Sequence, residues 1–433
     1  MNRPRVVIVG AGFAGYHAAR TLSRLARGAV EIVVVNPTDY FLYVPLLPEV
    51  AVGLLEPRRV AVSLPDTLPG VRLVIGELTA VDLEKRRIHY VDPESQVGQL
   101  DYDRLVLAAG SVNKSLPIPG ATEHAHGFRT LPEALYLRDH ITEQIELADA
   151  TDDPAEREAR CTFVVVGGGY TGTEVAAYGA LYTSALADRH PRLGAQRPRW
   201  MVLDIADRIL PELDTRMSEV ADQVLRSRGV DIRTETSVRE VRPDAVVLSD
   251  GQTVPTRSVI WCVGSRPDPL VANVGLETVN GRVLVDEYLT VPGHPEVYAC
   301  GDAAAVPDPA QPGQFTPMTA QHAVRHGKLV ARNIAATFGI GNRRPYRFRT
   351  IGFAVDLGRG GAVANPFEVL LTGAVARLAT RGYHLLSMPA NRTRVLFDWL
   401  LNAISPWQGV RLGTVPKDAL PLDSDAPELV QVR

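Results

Sequence analysis

The sequence predicts an α/β protein built from two doubly wound, three-layer domains followed by a C-terminal helical region. Three observations predict it. A β-branched apolar run, a glycine-rich turn and a helical stretch open the chain at Arg5–Arg20, RVVIVGAGFAGYHAAR. The same unit returns about 157 residues on, from Gly10 to Gly167, in CTFVVVGGGYTGTEVAA. Beyond residue 346 the pattern changes to amphipathic helices rich in Leu, Phe and Trp.

The first unit places Gly10, Gly12 and Gly15 in the spacing GxGxxG between a buried strand and a helix. Gly10 suits a tight turn, Gly12 allows backbone to approach a diphosphate, and Gly15 lets the helix pack closely on the strand. The helix N-terminus then directs its amides at an anion. Gly167, Gly169 and Gly172 repeat the device, so the chain carries two Rossmann-like units and two dinucleotide sites.

Each unit continues into a second strand. GAVEIVVVN ends at Asn36, about 20 residues past Gly15, where an acid usually serves the ribose hydroxyls; here an amide stands instead. RWMVLD ends at Asp204, after an interval lengthened by a polar loop at 188–197. A carboxylate there favours the free 2′-hydroxyl of NAD and repels the 2′-phosphate of NADP, with Arg208 close by in sequence.

Between these landmarks, the aromatic and Pro-rich stretch Asp39–Pro48 is either a packed core loop or a wall for a flat ring. Val71–Tyr90 reads as a small antiparallel meander. The strand ending in Ala108-Ala109-Gly110 allows close backbone approach to a ligand. Leu131–Leu147 reads as a helix, 150–160 as a polar linker, and Met217–Arg228 as a helix closed by Gly229. VYACGDAAA ends a strand at Gly301-Asp302, and a further helix runs to about Phe338. His322 and His326 on it lack a third ligand and read as ordinary helix-face residues, so no metal site is expected.

With 433 residues the chain exceeds one core and suits two or three domains. A net charge of −3 gives no field for nucleic acid. Three separated cysteines, Cys161, Cys262 and Cys300, exclude a disulfide framework and suit a reducing compartment. The strand pattern begins at once, so no secretion leader is expected, and no run is long and apolar enough for a spanning helix.

The ordered set GAGFAG, YDRLVLAAGS, IPG, GGGYTGTEVA, WCVGSRPDPL and VYACGDAAA resembles the two-dinucleotide flavoprotein reductases of the glutathione-reductase fold. Within that fold PLLPEVAVG, TAQHAVRHGKLVARNI, PYRFRTIGFAVDLGRGGAV, FDWLLNAIS and WQGVRL are similar to type II NADH dehydrogenases, over nearly the whole chain. The resemblance implies FAD held by Gly10, Gly12, Gly15, Asn36, Ala109, Gly110, Gly301 and Asp302, and NADH held by Gly167, Gly169, Gly172 and Asp204. It implies a discontinuous FAD domain (1–120 and 287–345), an NAD(P)H domain (121–286) and a C-terminal domain (346–433). It further implies hydride transfer from NADH to FAD and two-electron reduction of a membrane quinone without proton pumping, by a protein peripheral to the cytoplasmic side of the cell membrane. Glu174 and Gln321 match the family's catalytic positions, and Arg325 replaces the second glutamine of its AQxAxQ segment by a permanent cation.

In the tail, Asp398 and Asn402 form a narrow polar strip on an otherwise apolar helix, and Arg377, Arg381, Arg392 and Arg394 flank the apolar residues. Such helices suit a membrane interface; packing on the body or across a homodimer is the alternative. A reductase of this fold with a non-quinone acceptor, or a flavin-containing redox sensor, would share the same glycines. Disulfide and sulfide:quinone reductases need a pair of cysteines near the flavin, and none follows the second strand.

Overall fold

Val6, Val7 and Ile8 are fully buried in the strand Arg5–Val9, as a run apolar on both faces requires at the centre of a parallel sheet. The computed structural model describes residues 3–194, 196–417 and 420–422. Their contacts divide into two compact units, the first from residues 3–42, 61–112 and 265–350, the second from 43–60, 113–264 and 351 onward.

In the first unit a six-stranded sheet runs Thr290–Val291, His294–Ala299, Arg104–Leu107, Arg5–Val9, Glu31–Asn36, Arg72–Ile75. All neighbours are parallel except the first pair. The helices Phe13–Ala26 and Ala320–Thr337 pack together on it, and a Cβ at Gly327 would lie 2.0 Å from the Ala14 carbonyl oxygen. The meander expected at Val71–Tyr90 begins later: Arg72–Ile75 joins the main sheet beside Val33–Asn36, and the meander is Glu77–Asp82, Arg87–Val91 and Val97–Asp101. Three apolar residues, Leu73, Val74 and Ile75, before Gly76 are too few to separate a buried strand from an alternating one.

The second unit repeats the order. Its five parallel strands run Ala125–Gly127, Ser258–Trp261, Thr162–Val166, Arg199–Leu203, Asp231–Arg233. In both sheets the strand before the glycine turn is central and its second strand lies on the same side. The sequence duplication is therefore a structural one.

The expected linker at 150–160 holds the helix Pro154–Cys161, whose N-cap Asp153 accepts from the Ala155 amide. Cys161 accordingly ends a helix rather than beginning a strand. Contacts group residues 351 onward with the second unit, together with the insert 43–60, and place 265–286 in the first. That grouping follows from a small antiparallel sheet, Ala354–Asp356, Ala362–Ala364 and Leu371–Thr372, and the helices Gly373–Ser387 and Arg392–Ile404, whose polar groups bond to residues 49–59 and 174.

Candidate active site

The three glycines of the first unit have different reasons to be there. Gly10 has φ +91°, and a Cβ on it would lie 2.3 Å from the Ala108 carbonyl oxygen. A Cβ on Gly15 would lie 1.9 Å from the Gly10 oxygen. Gly12 has an ordinary φ of −67° and no atom within 4 Å of where its Cβ would be. Protein packing therefore demands Gly10 and Gly15, whereas Gly12 keeps open a space the protein does not fill.

Gly12 also begins the helix Phe13–Ala26 with no side-chain cap, while Thr130, Asp214 and Thr319 cap the helices Leu131–Ala150, Thr215–Ser227 and Ala320–Thr337. A cap stabilises by about 1 kcal/mol. Its omission leaves first-turn amides to an anionic ligand.

Asn36 holds this loop from the second strand. Its Oδ1 accepts from the Ala11 amide at 2.7 Å, and its Nδ2 donates to the Thr38 carbonyl and hydroxyl at 2.9 and 3.0 Å. A carboxylate has no donor for Thr38, which explains an amide where an acid is usual. Asp302 lies inside the single 3-10 turn Gly301–Ala303 and caps no helix; its carboxylate accepts from the Ser111 hydroxyl at 2.5 Å, next to the Ala109-Gly110 turn. Gly301, at φ +70°, leaves room for Ala14. Gly10, Gly12, Gly15, Asn36, Ala109, Gly110, Gly301 and Asp302 thus all belong to the first unit. Ser111 was not legible as a site residue, because a serine after Ala-Ala-Gly carries no pattern of its own.

Gln321 stands in the first turn of Ala320–Thr337. Arg325 donates to the Gln321 carbonyl at 2.9 Å and the Arg349 carbonyl at 3.1 Å, and its guanidinium lies 4.9 Å over the Phe348 ring. The cation is engaged by its own helix and the segment after it. His322 bonds the Tyr346 hydroxyl at 2.7 Å, and the His326 ring meets Tyr346 edge-on at 4.5 Å, so both histidines serve packing. Phe41 stacks on Tyr16 at 4.8 Å, which makes that part of the aromatic stretch core.

The second unit builds the same cradle. Gly167 has φ +106° and would place a Cβ 2.2 Å from the Cys262 oxygen; Gly172 would place one 1.8 Å from the Gly167 oxygen. Gly169, with no neighbour nearer than 3.9 Å, starts the uncapped helix Tyr170–Ala187. Asp204 accepts from the Gly168 amide at 2.5 Å and the Ala206 amide at 2.8 Å. Each oxygen retains acceptor capacity beyond those bonds. Arg208 donates to the Pro211 and Leu213 carbonyls, so its guanidinium is committed to its own loop.

Glu174 belongs to a buried acidic cluster in the same unit. Its Oε1 accepts from the Asp356 amide at 3.0 Å. Glu49 accepts from the Tyr178 hydroxyl at 3.1 Å and the Trp399 indole at 2.6 Å. Arg381 lies 3.8 Å from Glu49 and 3.9 Å from Asp356, with its guanidinium 4.5 Å over the Trp399 ring; Arg377 lies 3.9 Å from Asp356. Glu49 and Asp356 thus face Arg381 and Arg377, and Arg228 is also within electrostatic reach of Asp356. Burial pushes Glu49 up to about 7 against the pull of Arg381, and raises Glu174 well above the carboxylate range. Burial raises Asp356 too, opposed first by Arg377. The cluster holds a proton near neutrality.

Arg377 and Arg381 therefore face this cluster rather than flanking an apolar surface, and Trp399 is a buried donor. A lone acid in LLPEVAVG was the available signal for Glu49; nothing in sequence ties Asp356 to it.

The helix Arg392–Ile404 is amphipathic in the inverted sense. Its polar strip faces protein: Asp398 takes a two-pronged bond from Arg59 at 2.8 and 3.2 Å, and Asn402 donates to the Leu54 carbonyl at 2.8 Å. Val395 and Trp399 turn inward beside that strip, while the rest of its apolar residues face outward, with Phe397 68% and Ile404 86% exposed, as is Leu378 of Gly373–Ser387 at 76%. Among the described residues no helix is long and apolar enough to cross a membrane.

The three cysteines are free, and burial raises Cys161 to about 11 and Cys300 to about 12, with Cys262 raised further. None is a thiolate near neutrality. The two uncapped helix starts, each beside a glycine facing open space, fit the diphosphates of FAD and NADH.

Residues 4–327 match the model of the pyridine nucleotide-disulphide oxidoreductase family. The chain is 30% identical to the demethylphylloquinone reductase NdbB of Synechocystis sp. over 94% of its own length and 98% of that protein. It is 31% identical to the type II NADH:quinone oxidoreductase NdhA of Mycobacterium tuberculosis, over 92% of this chain and 87% of that one. The structure of NDH2 from Plasmodium falciparum in complex with NADH superposes with a TM-score of 0.86 over 94% of this chain and 100% of that chain, at 17% identity, a likeness of fold. On these matches the chain belongs to the pyridine nucleotide-disulphide oxidoreductases, within them to the type II NADH dehydrogenase family.

Proposed function

We propose that the chain is a non-proton-pumping NADH:quinone oxidoreductase that uses FAD and works at the cytoplasmic face of the cell membrane. The observation that carries this is the pair of uncapped glycine cradles, one in each unit, in a chain whose cysteines burial holds in the thiol form. Bound FAD supplies hydride acceptance from NADH and return of two electrons to the quinone.

The chain's own residues do the rest. Gly12 and the first-turn amides of Phe13–Ala26 take the FAD diphosphate, Asn36 fixes that loop, and Asp302, held by Ser111, accepts from the ribityl chain beside Ala109 and Gly110. Gly169 and the start of Tyr170–Ala187 take the NADH diphosphate. Asp204 accepts from the ribose hydroxyls with its remaining lone pairs, and Arg208, whose Nη2 donates to the Pro211 and Leu213 carbonyls, is drawn toward its own loop. Gln321 orients the quinone. Quinone reduction consumes two protons, and the buried cluster of Glu174, Glu49 and Asp356, in which burial raises all three carboxyls, is the group that supplies one. In domain terms the first unit is the FAD domain and the second carries the NADH site, with the tail as its membrane-facing part.

The exposed side of Arg392–Ile404 is the membrane contact. Removing a large aliphatic or aromatic side chain from water stabilises by about 1.5–3 kcal/mol. A second copy of the chain would cover the same face, and analytical ultracentrifugation with and without detergent distinguishes the two.

The test is anaerobic mixing of the purified protein with NADH, followed by quinone, ferricyanide or oxygen in separate syringes. Bleaching of a bound yellow chromophore and its fastest return with quinone is the expected result. A chromophore that NADH reduces and quinone fails to reoxidise overturns the acceptor.

A further inference from the structure

Charge in the first unit is segregated along the chain. The helix Phe13–Ala26 and its C-cap Arg27 contain no Asp or Glu, and neither does any residue between Asp308 and Asp356. On the first helix Arg20, Arg24 and Arg27 follow at intervals of three and four residues; on Ala320–Thr337, Arg325, Lys328 and Arg332 do the same. Each set is therefore one stripe on one helix face. The two helices pack together, and the segment NRRPYRFRT that follows adds four more arginines.

Like charges at these spacings weaken a helix. Among the described residues none of the six stripe cations forms an ion pair, and Arg24, Arg27, Lys328 and Arg332 are exposed. The stripes also feel each other: His17 is lowered to about 4 by burial and then by Lys328 and Arg20, and Lys328 is lowered by burial and then by Arg325, Arg332 and Arg20. Arg325 is engaged by carbonyls and the Phe348 ring, but in a chain of net charge −3 the exposed Arg24, Arg27, Lys328 and Arg332, without ion pairs on two adjoining helices, suit an anion from outside.

We propose that this two-helix face binds the phosphates of anionic phospholipid, as a membrane contact separate from the apolar tail. The choice of a lipid surface rests on the reading of the protein as a membrane-quinone reductase. A spread of exposed cations along two helices matches the repeated phosphates of a bilayer better than one small anion, and each such cation contributes measurably near an anionic surface.

The test uses the full-length holoenzyme and sedimentation with vesicles of phosphatidylcholine, alone or with phosphatidylglycerol. The native protein should bind the phosphatidylglycerol vesicles about tenfold or more tightly, with the difference shrinking in salt. The triple variant Arg24→Glu, Lys328→Glu, Arg332→Glu should lose that difference yet keep its turnover with a water-soluble quinone. Leu378→Ser with Phe397→Ser should instead weaken binding to both vesicle types alike. Equal binding of native and triple variant to phosphatidylglycerol vesicles overturns the proposal. So does a fall in kcat/KM for NADH with the lipid preference intact, which would assign the stripes to steering the dinucleotide. A native protein that prefers phosphatidylglycerol but does not reduce quinone keeps this surface and loses the enzymatic reading.

Discussion

The indole of Trp399 donates to Oε2 of Glu49 across 2.6 Å, with both side chains buried. Tyr178 serves the other oxygen, and the nearest cation to Glu49 in the cluster, Arg381, stands back at 3.8 Å. Burial wins over that attraction, so the folded-state value of Glu49, about 7, lies above its ordinary 4.5. Folding therefore favours the protonated form, and this group's stabilisation is complete below 4.5 and lost as pH rises through 7. Glu174 and Asp356 shift in the same direction. His126, His140 and His384 of the same unit are buried neutral and lose stability on acidification instead, so the native profile mixes opposite slopes. The difference between native and Glu49→Gln isolates the carboxylate. Between about pH 5 and pH 8 the native protein should lose on the order of 2 kcal/mol relative to the variant, read from urea midpoints. Parallel profiles would mean that Glu49 is ionised throughout.

Asp398 and Asn402 attach the last helix by its polar strip, through Arg59 and the Leu54 carbonyl. Asp398→Ala leaves the half-buried Arg59 guanidinium without its carboxylate, at a cost of about 1–3 kcal/mol. The helix should then open more often, and amide exchange across Arg392–Ile404 should quicken by about tenfold or more. Phe397→Ser, on the outward side, should leave exchange in detergent-free buffer unchanged. Equal effects of the two would show that the strip does not hold the helix.

These two cases mark what sequence carries and what it does not. Local periodicity and glycine spacing made both cradles readable, because a strand, a turn and a helix adjoining in sequence also adjoin in space. The polar strip of the last helix was visible as a pattern, yet its direction was not, since an inverted amphipathic helix has the same period as an ordinary one. The acidic cluster was hidden for a different reason. Glu49, Glu174, Asp356 and Trp399 come from four distant segments, and a buried acid has no sequence signature beyond an apolar neighbourhood. Arg377 and Arg381 looked like surface cations because their partners lie far away in sequence. The start of the meander was misplaced for want of length: four residues cannot show a period.

Asp204 accepts from both the Gly168 and Ala206 amides, so it fixes the shape of the second glycine loop, and the proposed ribose contact would use the lone pairs left over. Asp204→Ala should raise KM for NADH by about tenfold or more, with a smaller change in kcat. If the carboxylate repels a 2′-phosphate as proposed, NADPH should gain relative to NADH in the variant. Steady-state kinetics with both nucleotides gives the ratio. If both KM values rise by the same factor, Asp204 acts through the loop alone and the ribose contact is removed from the mechanism.

Gly12 and Gly15 differ in what surrounds them, and alanine at each should fail differently. At position 15 a methyl would meet the Gly10 oxygen at 1.9 Å, so the helix must leave the strand and Gly15→Ala should not give a soluble folded protein. At position 12 a methyl meets nothing within 4 Å, and φ is −67°, which alanine adopts freely. Gly12→Ala apoprotein should therefore unfold within about 0.5 kcal/mol of the native apoprotein. Its affinity for FAD should nonetheless fall, by about tenfold to a hundredfold, because the methyl occupies the space kept for the diphosphate. Flavin removed by dialysis against bromide and titrated back, with fluorescence quenching as the signal, measures that loss separately from stability. A Gly12→Ala protein that binds FAD like the native one would mean that the diphosphate lies elsewhere, and with it would go the assignment of the first cradle.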